Sequence, residues 1–279
     1  MSLELMYITN NPQVAQIVEQ CGVERVWIDL ETLGKEERQK NMNTVKSHHT
    51  VQDIVQISRV LTRAKLQVRV NPWNPNSINE IEQVIAAGAD RIMLPMWKST
   101  HEVQSFLNVI DGRVGTTLLL ETSEAADCLD EVLELPGLDE IHIGLNDLHL
   151  SRGMTFMFEL LTDGTVETLC KKIQAKGVPY GFGGIARIGE GTLPAERIVC
   201  EHYRLGSTRA ILSRSFCNPD EVKDLNTIEV MFRENVKKLR DFEKTLENAD
   251  QEFFADNQKK VAVCVEHVVQ IMKERRNHG

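Results

Sequence analysis

Acidic side chains follow two apolar, strand-like runs in the middle of the chain. Glu121 closes the run 116–121, and Asp147 comes shortly after the run 140–144. If these runs are neighbouring parallel strands, both carboxylates face one point and can bind a hard divalent cation, with water or substrate oxygens completing the shell. The alternative is helix capping, since Thr122 or Ser123 and Asp147 are also residue types that begin helices.

Arg69 lies inside another strand-like run, 66–71, where an unpaired charge would be costly. A planar guanidinium at such a place can hold a substrate carboxylate or enolate oxygen through two hydrogen bonds. The alternative is a buried ion pair with Asp29 or Glu31, at the end of the strand-like run 25–31. The two interpretations are compatible, because a carboxylate can orient the arginine.

The elements that must position these residues alternate between strand and helix patterns. One pattern recurs at Gly22–Asp29, Gly88–Leu94 and Gly137–Ile143. In each case a helix is followed by a glycine, then by an acidic residue, and then by an apolar strand. Parallel strands need helical crossovers, and the count is close to eight, so the sequence predicts an α/β fold of the (β/α)8 TIM barrel type. A doubly wound open sheet is the alternative, although no glycine-rich nucleotide motif follows the first strand.

In a barrel, working residues lie at the carboxyl ends of strands and in the loops that follow. This rule selects ten positions: Asp29, Glu31, Arg69, Lys98, Glu121, Asn146, Asp147, Gly183, Gly184 and Arg187. The long polar connection Thr32–Thr50 is also expected near the mouth, because loops of this length often form lids or site walls.

Two parts of the chain are expected: a barrel over residues 1–218 and a helical extension over 219–279. The extension carries an apolar stripe that includes Ile228, Met231, Val236 and Leu239. Such a stripe packs on the barrel or on a neighbouring subunit, so a homo-oligomer is predicted.

Composition excludes several classes of partner. The 279 residues carry a formal charge of −9 and only 5% aromatic residues, which disfavours nucleic acid and anionic membranes. No apolar run approaches the ~18–20 residues of a membrane helix, and no signal peptide is evident. Six cysteines are scattered singly, as in reduced cytosolic proteins, so a cytoplasmic location is expected.

An ordered set of short motifs resembles a known family. The motifs are Ile28–Glu31, Val68–Asn71, Met93–Met96, Leu120–Thr122 and Ile143–Leu148, with Gly153 shortly after. In this order they resemble the HpcH/HpaI aldolase and citrate lyase beta-subunit family of the phosphoenolpyruvate/pyruvate barrels. The likeness covers about residues 5–217, and the set is far more specific than any one motif.

The resemblance implies a Mg²⁺- or Mn²⁺-dependent carbon–carbon lyase or aldolase that acts on a 2-oxoacid through a pyruvate-type enolate. It implies that Glu121 and Asp147 hold the metal, and that Arg69 binds the pyruvate-like oxygen and stabilises enolate charge. Asp29 and Glu31 are expected beside the substrate. No Schiff-base lysine is required, so Lys98 is given no such role.

The chain departs from the family at the position of the general base. Aldolases of this family have a histidine directly after the second-strand acidic pair, where this chain has Thr32. His48 and His49 resemble the family's stretch that enters the second helix, displaced by an insertion, so either is a candidate base. The alternative is a solvent-facing histidine pair.

Two departures from the family pattern leave the substrate open. The run 181–191 matches neither branch, although Gly183, Gly184 and Arg187 could bind an anion; a tight turn with a surface arginine is the alternative. The short link between the fourth and fifth strands is typical of the citrate lyase-like branch and favours an acyl-CoA lyase. A third hypothesis is a barrel that has lost catalysis and serves in binding or assembly.

Overall fold

The computed structural model describes residues 2–34, 48–218 and 221–277, and its centre is a closed barrel of eight parallel strands. Each strand pairs with the next along the chain, and the eighth pairs with the first. The strands are β1 (Glu4–Ile8), β2 (Arg25–Asp29), β3 (Lys65–Arg69), β4 (Arg91–Leu94), β5 (Gly115–Leu120), β6 (Ile141–Ile143), β7 (Tyr180–Ile185) and β8 (Arg209–Leu212). The predicted (β/α)8 TIM barrel is confirmed.

Helices cover the outside of the barrel and connect successive strands. They are α1 (Pro12–Gln20), α2 (Val51–Ser58), α3 (Ser77–Ala86), α4 (Thr100–Ile110), α5 (Ser123–Asp127), α6 (Leu129–Val132), α7 (Leu145–Ser151), α8 (Thr165–Ala175), α9 (Ala195–Arg204), α10 (Leu225–Leu246) and α11 (Gln251–Asn277). A 3₁₀ turn spans Met157–Leu161. Most of the predicted loop Thr32–Thr50 lies outside the described residues, which omit positions 35–47.

Side chains of each strand alternate between the barrel interior and the helix layer, as the strand period of two requires. In β2, Val26 and Ile28 belong to the outer apolar core, whereas Trp27 packs with Met93 and Leu119 in a separate inner cluster. By the same alternation, Asp29 at the end of β2 points inward. The period of the strands therefore selects which charged residues enter the mouth.

A buried ionic layer lies below the inner apolar cluster. Arg25 donates to Glu140 through Nη1 at 2.7 Å and through Nη2 at 3.0 Å, and Glu140 is fully buried. Arg209 also pairs with Glu140, and Gln67 accepts a hydrogen bond from Arg25 at 2.8 Å. The layer therefore connects β2, β3, β6 and β8 across the barrel.

The two C-terminal helices pack on the barrel's own elements. Helix α10 contacts α1 and α9, and its Phe232 ring packs edge-on against Tyr7 of β1 at 4.8 Å. Helix α11 contacts α9, where the buried Asn257 donates to the Glu201 carboxylate at 2.9 Å. Helix α10 thus fills the position of the eighth barrel helix, between α9 and α1. The division of the chain at residue 218 stays a prediction.

Among the described helices, none combines the length and the apolar character needed to cross a lipid bilayer.

Candidate active site

Glu121 follows β5 directly and is held at the mouth of the barrel. Its side chain is 3% exposed, and its Oε1 accepts a hydrogen bond from the backbone N–H of Met96 at 3.1 Å. The next residue, Thr122, caps α5 by accepting from Ala125 N at 3.0 Å and donates its hydroxyl proton to Trp97 O at 2.8 Å. The chain after β5 therefore turns at once into a helix and leaves the Glu121 carboxylate fixed.

Asp147 lies in the first turn of α7, immediately after β6. Gly144 forms the junction between β6 and α7, and a Cβ at this position would lie 2.8 Å from Glu121 Cβ and 2.9 Å from Glu121 Oε2. Only a glycine leaves this space for the glutamate. The junction thus brings the carboxylates of Glu121 and Asp147 into electrostatic contact.

The surroundings of Glu121 are unfavourable for its negative charge. Burial and the neighbouring charge of Asp147 raise the pKa of the Glu121 carboxyl well above its usual range, and Glu31 acts in the same direction. Arg69 opposes them and lowers the pKa in part. A bare carboxylate is costly at this place, and a cation beside it would offset that cost.

Arg69 ends β3 and forms a bidentate ion pair with Asp29, its register partner in β2. Arg69 Nε donates to Asp29 Oδ1 at 2.9 Å, and Nη2 donates to Oδ2 at 2.8 Å; Nη2 also lies 3.3 Å from Glu31 Oε2. Burial alone would lower the pKa of the guanidinium, but the two carboxylates outweigh it and raise the pKa. Arg69 is therefore a fixed positive charge.

The Arg69 guanidinium stands above an aromatic floor. Its Cζ lies 5.1 Å from the centre of the Trp27 ring, within the range of a cation–π contact. Trp27 is buried among the inner apolar residues of the barrel. The ring and the two carboxylates together fix the plane of the guanidinium.

His49 reaches the same end of β2 from the residues that precede α2. Its Nδ1 accepts a hydrogen bond from the backbone N–H of Asp29 at 3.0 Å, and its side chain is half-buried. His48 beside it is exposed. Thr50 then caps α2 with a reciprocal capping box to Asp53, which fixes the direction in which the chain leaves the site.

The glycines of the seventh unit lie inside a strand rather than in a loop. Gly183 and Gly184 belong to β7, whose pairing with β8 shifts register between Gly181 and Gly184. Gly183 has a φ of +54°, and a Cβ there would lie 2.8 Å from Leu145 Cδ1 of α7. His142 Nε2 donates to Gly183 O at 3.1 Å and supports this irregular segment.

Arg187 lies beyond β7 and is paired with Glu190 three residues later. Arg187 Nε donates to Glu190 Oε2 at 3.0 Å, and the arginine side chain is 31% exposed. The pair holds together the turn that follows β7. The structure therefore places Gly183 against α7, Gly184 against β8, and Arg187 in the turn that follows β7.

The donor set at the mouth fits a divalent cation. Arg69 interacts electrostatically with Asp29, Glu31 and Glu121, and the charge of Asp147 lies close enough to Glu121 to raise its pKa. No three His, Cys, Asp or Glu side chains within the described residues are arranged to hold an ion together. Glu121 and Asp147 would be the protein ligands, which suits an ion that keeps several waters or substrate oxygens.

Two cavities of the described residues open at the opposite end of the barrel. One, of about 380 Å³, is lined by the start of β7 and by residues before β8; the other, of about 400 Å³, lies beside Leu3 and Lys65. Both adjoin the amino ends of strands, where barrel enzymes do not build their active sites. The carboxylates and Arg69 at the carboxyl end of the barrel therefore form the candidate site.

Three contributors to the site were not predicted from the sequence. Met96 supplies a backbone N–H to Glu121, and its φ of +52° is unusual for a residue with a side chain. Gly144 supplies space, and Trp27 supplies the floor below Arg69. The glycine at the end of the sixth strand was a usable signal, whereas no local pattern indicates the backbone of Met96.

A sequence model of the family described as HpcH/HpaI aldolase/citrate lyase matches residues 4–159, which is more than half of the chain. No curated protein matches the chain in sequence. The matched region contains Asp29, Arg69, Glu121 and Asp147.

Solved structures share the fold at low sequence identity. An HpcH/HpaI aldolase/citrate lyase family protein from Burkholderia cenocepacia J2315 is 12% identical with a TM-score of 0.62, over 81% of this chain and 95% of that one. An HpcH/HpaI aldolase from Desulfitobacterium hafniense DCB-2 is 14% identical with a TM-score of 0.62, over 82% and 93%. The citrate synthase SbnG is 17% identical with a TM-score of 0.60, over 81% and 92%. At these identities the likeness shows the fold.

Proposed function

The chain belongs to the HpcH/HpaI aldolase/citrate lyase family, and we propose that it is a divalent-metal-dependent carbon–carbon lyase or aldolase. Its substrate would be a 2-oxoacid that reacts through a pyruvate-type enolate. The observation that carries the proposal is the buried Glu121 carboxylate, destabilised by Asp147 and Glu31 at the carboxyl end of the barrel. Neighbouring carboxylates at this end of a barrel are energetically costly and are typical of sites that bind a cation and a substrate.

Glu121 and Asp147 would hold Mg²⁺ or Mn²⁺. When bound, the ion acts as a Lewis acid towards the carbonyl and carboxylate oxygens of a 2-oxoacid. The Met96 N–H keeps one Glu121 oxygen in place, and Gly144 keeps the space beside the other one open. Because Glu121 retains a proton more readily than an exposed glutamate, binding of the ion should release that proton.

Arg69 would bind the substrate oxygen that gains negative charge. Its contacts with Asp29 and Glu31 use Nε and Nη2, so we assign Nη1 to the substrate. The carboxylates and the Trp27 ring hold the guanidinium before the substrate arrives. An oxyanion group that is already oriented costs no reorganisation when charge develops.

The part of the substrate beyond its pyruvate unit would lie towards β7 and the turn after it. Gly183 and Gly184 would bring backbone close to the substrate, and Arg187 would attract a negatively charged group. His49, rather than the exposed His48, is the histidine that contacts the site, through Asp29.

A second candidate is an acyl-CoA lyase of the citrate or malyl-CoA type. The observation that favours it is the short connection from β4 to β5, in which α4 is the one regular element of residues 95–114. Tight binding of an acyl-CoA, with no exchange of free pyruvate protons, would favour this candidate. If neither activity is found, the barrel serves in binding or assembly.

We also propose that the protein is a cytoplasmic homo-oligomer. Its six cysteines are free, as expected in a reducing compartment. Helix α11 buries Val261 and Val265 but leaves Val263 and Phe253 exposed, so part of its apolar surface is open to a second copy. Sedimentation at micromolar concentration tests this, and a monomer would contradict it.

Exchange of the pyruvate methyl protons with D₂O, followed by ¹H NMR, tests the proposed function. With Mg²⁺ or Mn²⁺ the wild type should catalyse exchange, and EDTA should stop it. Glu121→Gln and Asp147→Asn should lower the rate by at least about 10²-fold. The control is Glu124→Gln, one turn further along, where the exposed carboxylate pairs with Lys98. Equal loss in the control, or no loss in the first two variants, would contradict the metal assignment.

A further inference from the structure

Asn71 connects the end of β3 to the chain that follows β2. Its side-chain Oδ1 accepts hydrogen bonds from the backbone N–H groups of Thr32 and Leu33, both at 2.9 Å, and from the Thr32 hydroxyl at 3.3 Å. Asn71 comes two residues after Arg69, so one short segment carries both the arginine of the site and this acceptor. A single amide group therefore holds the first residues after Glu31.

Glu80, in the first turn of α3, fixes the orientation of the Asn71 amide. Asn71 Nδ2 donates to Glu80 Oε1 at 2.7 Å, and the Asn71 backbone N–H lies 3.3 Å from both carboxylate oxygens. An ionised carboxylate only accepts and a backbone N–H only donates. The amide nitrogen of Asn71 must therefore face Glu80, and its oxygen must face the chain after β2.

The segment held by Asn71 begins with Glu31, which contacts Arg69. Glu31 is 2% exposed, and its Oε2 lies 3.3 Å from Arg69 Nη2. The Leu30 N–H donates to Arg69 O at 2.9 Å, and the Glu31 N–H donates to Asp29 Oδ1 at 3.2 Å. Each backbone N–H from residue 30 to residue 33 thus donates to Asp29, Arg69 or Asn71.

We infer that Asn71 is a positioning residue, which keeps the Glu31 carboxylate against Arg69. It does so in the orientation that Glu80 imposes on its amide. If the chain after Glu31 is released, this carboxylate can move away, and the guanidinium is less firmly oriented towards the enolate oxygen. The inference rests on the proposed function and deepens it, because Asn71 acts through the arginine rather than on the substrate.

Reversing the hydrogen bond between Asn71 and Glu80 tests this role. Asn71→Asp keeps an acceptor for the two backbone N–H groups but places a second carboxylate against Glu80, so the two side chains repel. In the double variant Asn71→Asp/Glu80→Gln the glutamine amide donates to the new carboxylate, and the net charge is that of the wild type. At pH 8 we expect the kcat of pyruvate exchange to fall by about 10-fold or more in Asn71→Ala and Asn71→Asp, and to recover in the double variant.

A positioning role also predicts that kcat changes while binding does not. The KM for pyruvate and the affinity for Mn²⁺ should stay within about twofold of the wild type, because the lost interaction matters mainly in the transition state. Glu82→Gln changes an exposed carboxylate of the same helix, which pairs with Arg113, and is the control that should behave as the wild type. Unchanged kcat in Asn71→Ala, or no recovery in the double variant, overturns the inference.

Amide hydrogen exchange, measured by mass spectrometry, reports on the segment without depending on activity. The peptide that contains Thr32 and Leu33 should exchange faster in Asn71→Ala and should return to wild-type protection in the double variant. Unchanged protection of this peptide in Asn71→Ala overturns the inference whatever the activity. Wild-type protein that protects this peptide but catalyses no pyruvate exchange with any metal instead overturns the proposed function.

Discussion

Glu121 is the residue whose surroundings explain the site. Its carboxylate is buried, receives one backbone hydrogen bond from Met96, and lies beside the negative charges of Asp147 and Glu31. Burial and these charges favour the protonated form, and the proposed cation would reverse that preference. Metal affinity, and the release of a proton when the metal binds, should therefore depend on the position in which the residues around Glu121 hold its carboxylate.

Gly144→Ala tests the space that Glu121 needs. The new methyl group would lie 2.8 Å from Glu121 Cβ, so the strand end or the glutamate must shift. We expect weaker Mn²⁺ binding and a loss of about 1–3 kcal/mol in unfolding free energy, typical of overpacking. Gly137→Ala is the control, since its methyl meets open space and it loses stability only through a φ of +87°. Equal metal affinity in both variants would contradict the role of Gly144.

Substitutions at Met96 test the backbone hydrogen bond to Glu121. Its N–H donates to the Glu121 carboxylate while its φ is +52°, and a left-handed conformation costs a residue with a side chain roughly 1–2 kcal/mol. Met96→Gly should keep metal affinity, because glycine adopts this conformation readily, whereas Met96→Val should lower it. Titration calorimetry of both variants measures the difference. Unchanged affinity in the valine variant would contradict the assignment.

The sequence predicts the charged residues of the site but not their supports. Asp29, Arg69, Glu121 and Asp147 follow apolar runs, so the barrel rule finds them without a structure. The ion pair of Arg69 with Asp29 was one of two open interpretations, and the structure shows it. The positive φ of Met96 has no signal in the sequence, because methionine rarely adopts this conformation.

At the scale of elements, local periodicity predicts most strands but misses two irregularities. Residues 123–132 follow one helical pattern but form two short helices, α5 and α6, because Cys128 departs from helical geometry with a φ of −96° and a ψ of 11°. Gly183 and Gly184 belong to β7, whose pairing with β8 continues past a register shift that the local pattern does not indicate. Both outcomes depend on neighbouring elements, which a local pattern does not contain.

Helix α10 closes the barrel by holding the beginning of β1. Glu243 Oε1 accepts from Leu3 N at 2.7 Å, and Arg240 Nη1 donates to Leu3 O at 2.7 Å. Glu243→Ala would leave a buried N–H unsatisfied, so we expect unfolding free energy to fall by about 1–3 kcal/mol with little change in metal affinity. Urea unfolding measures this.

Lys237→Ala, on the exposed face of the same helix, is the matched control and should leave stability unchanged. If Glu243→Ala is as stable as the control, α10 does not hold β1 in the way the contacts indicate.

For the whole molecule, the ionic layer around Glu140 joins strands from opposite sides of the barrel. Burial would raise the pKa of Glu140, but hydrogen bonds and charges from Arg25, Arg209 and Arg91 lower it to about 2. The sequence does not predict that these charged residues are buried, because a charged residue at the start of a strand is usually exposed. Closure of the barrel is what buries them.

The lowered pKa of Glu140 predicts acid sensitivity. A depressed carboxyl pKa contributes stability above the ordinary value of 4.5, and this contribution is lost as the pH falls towards about 2. Glu140→Gln should lower unfolding free energy at neutral pH by about 3–5 kcal/mol, because it removes the buried carboxylate shared by Arg25 and Arg209, and should flatten the pH dependence in this window. Urea unfolding between pH 2 and 7 measures both effects, and Glu82→Gln, in an exposed pair with Arg113, is the control. An unchanged slope in Glu140→Gln would contradict this reading of the layer.

Binding of Mn²⁺, followed through the electron paramagnetic resonance signal of the free ion, tests the central claim most directly. We predict one bound ion per chain in the wild type, further tightening when pyruvate is added, and loss of binding by at least about 10-fold in Glu121→Gln and in Asp147→Asn. Glu124→Gln should bind as the wild type does. Equal binding of Mn²⁺ by all four proteins, or no binding by the wild type, would contradict a metal site at the carboxyl end of this barrel.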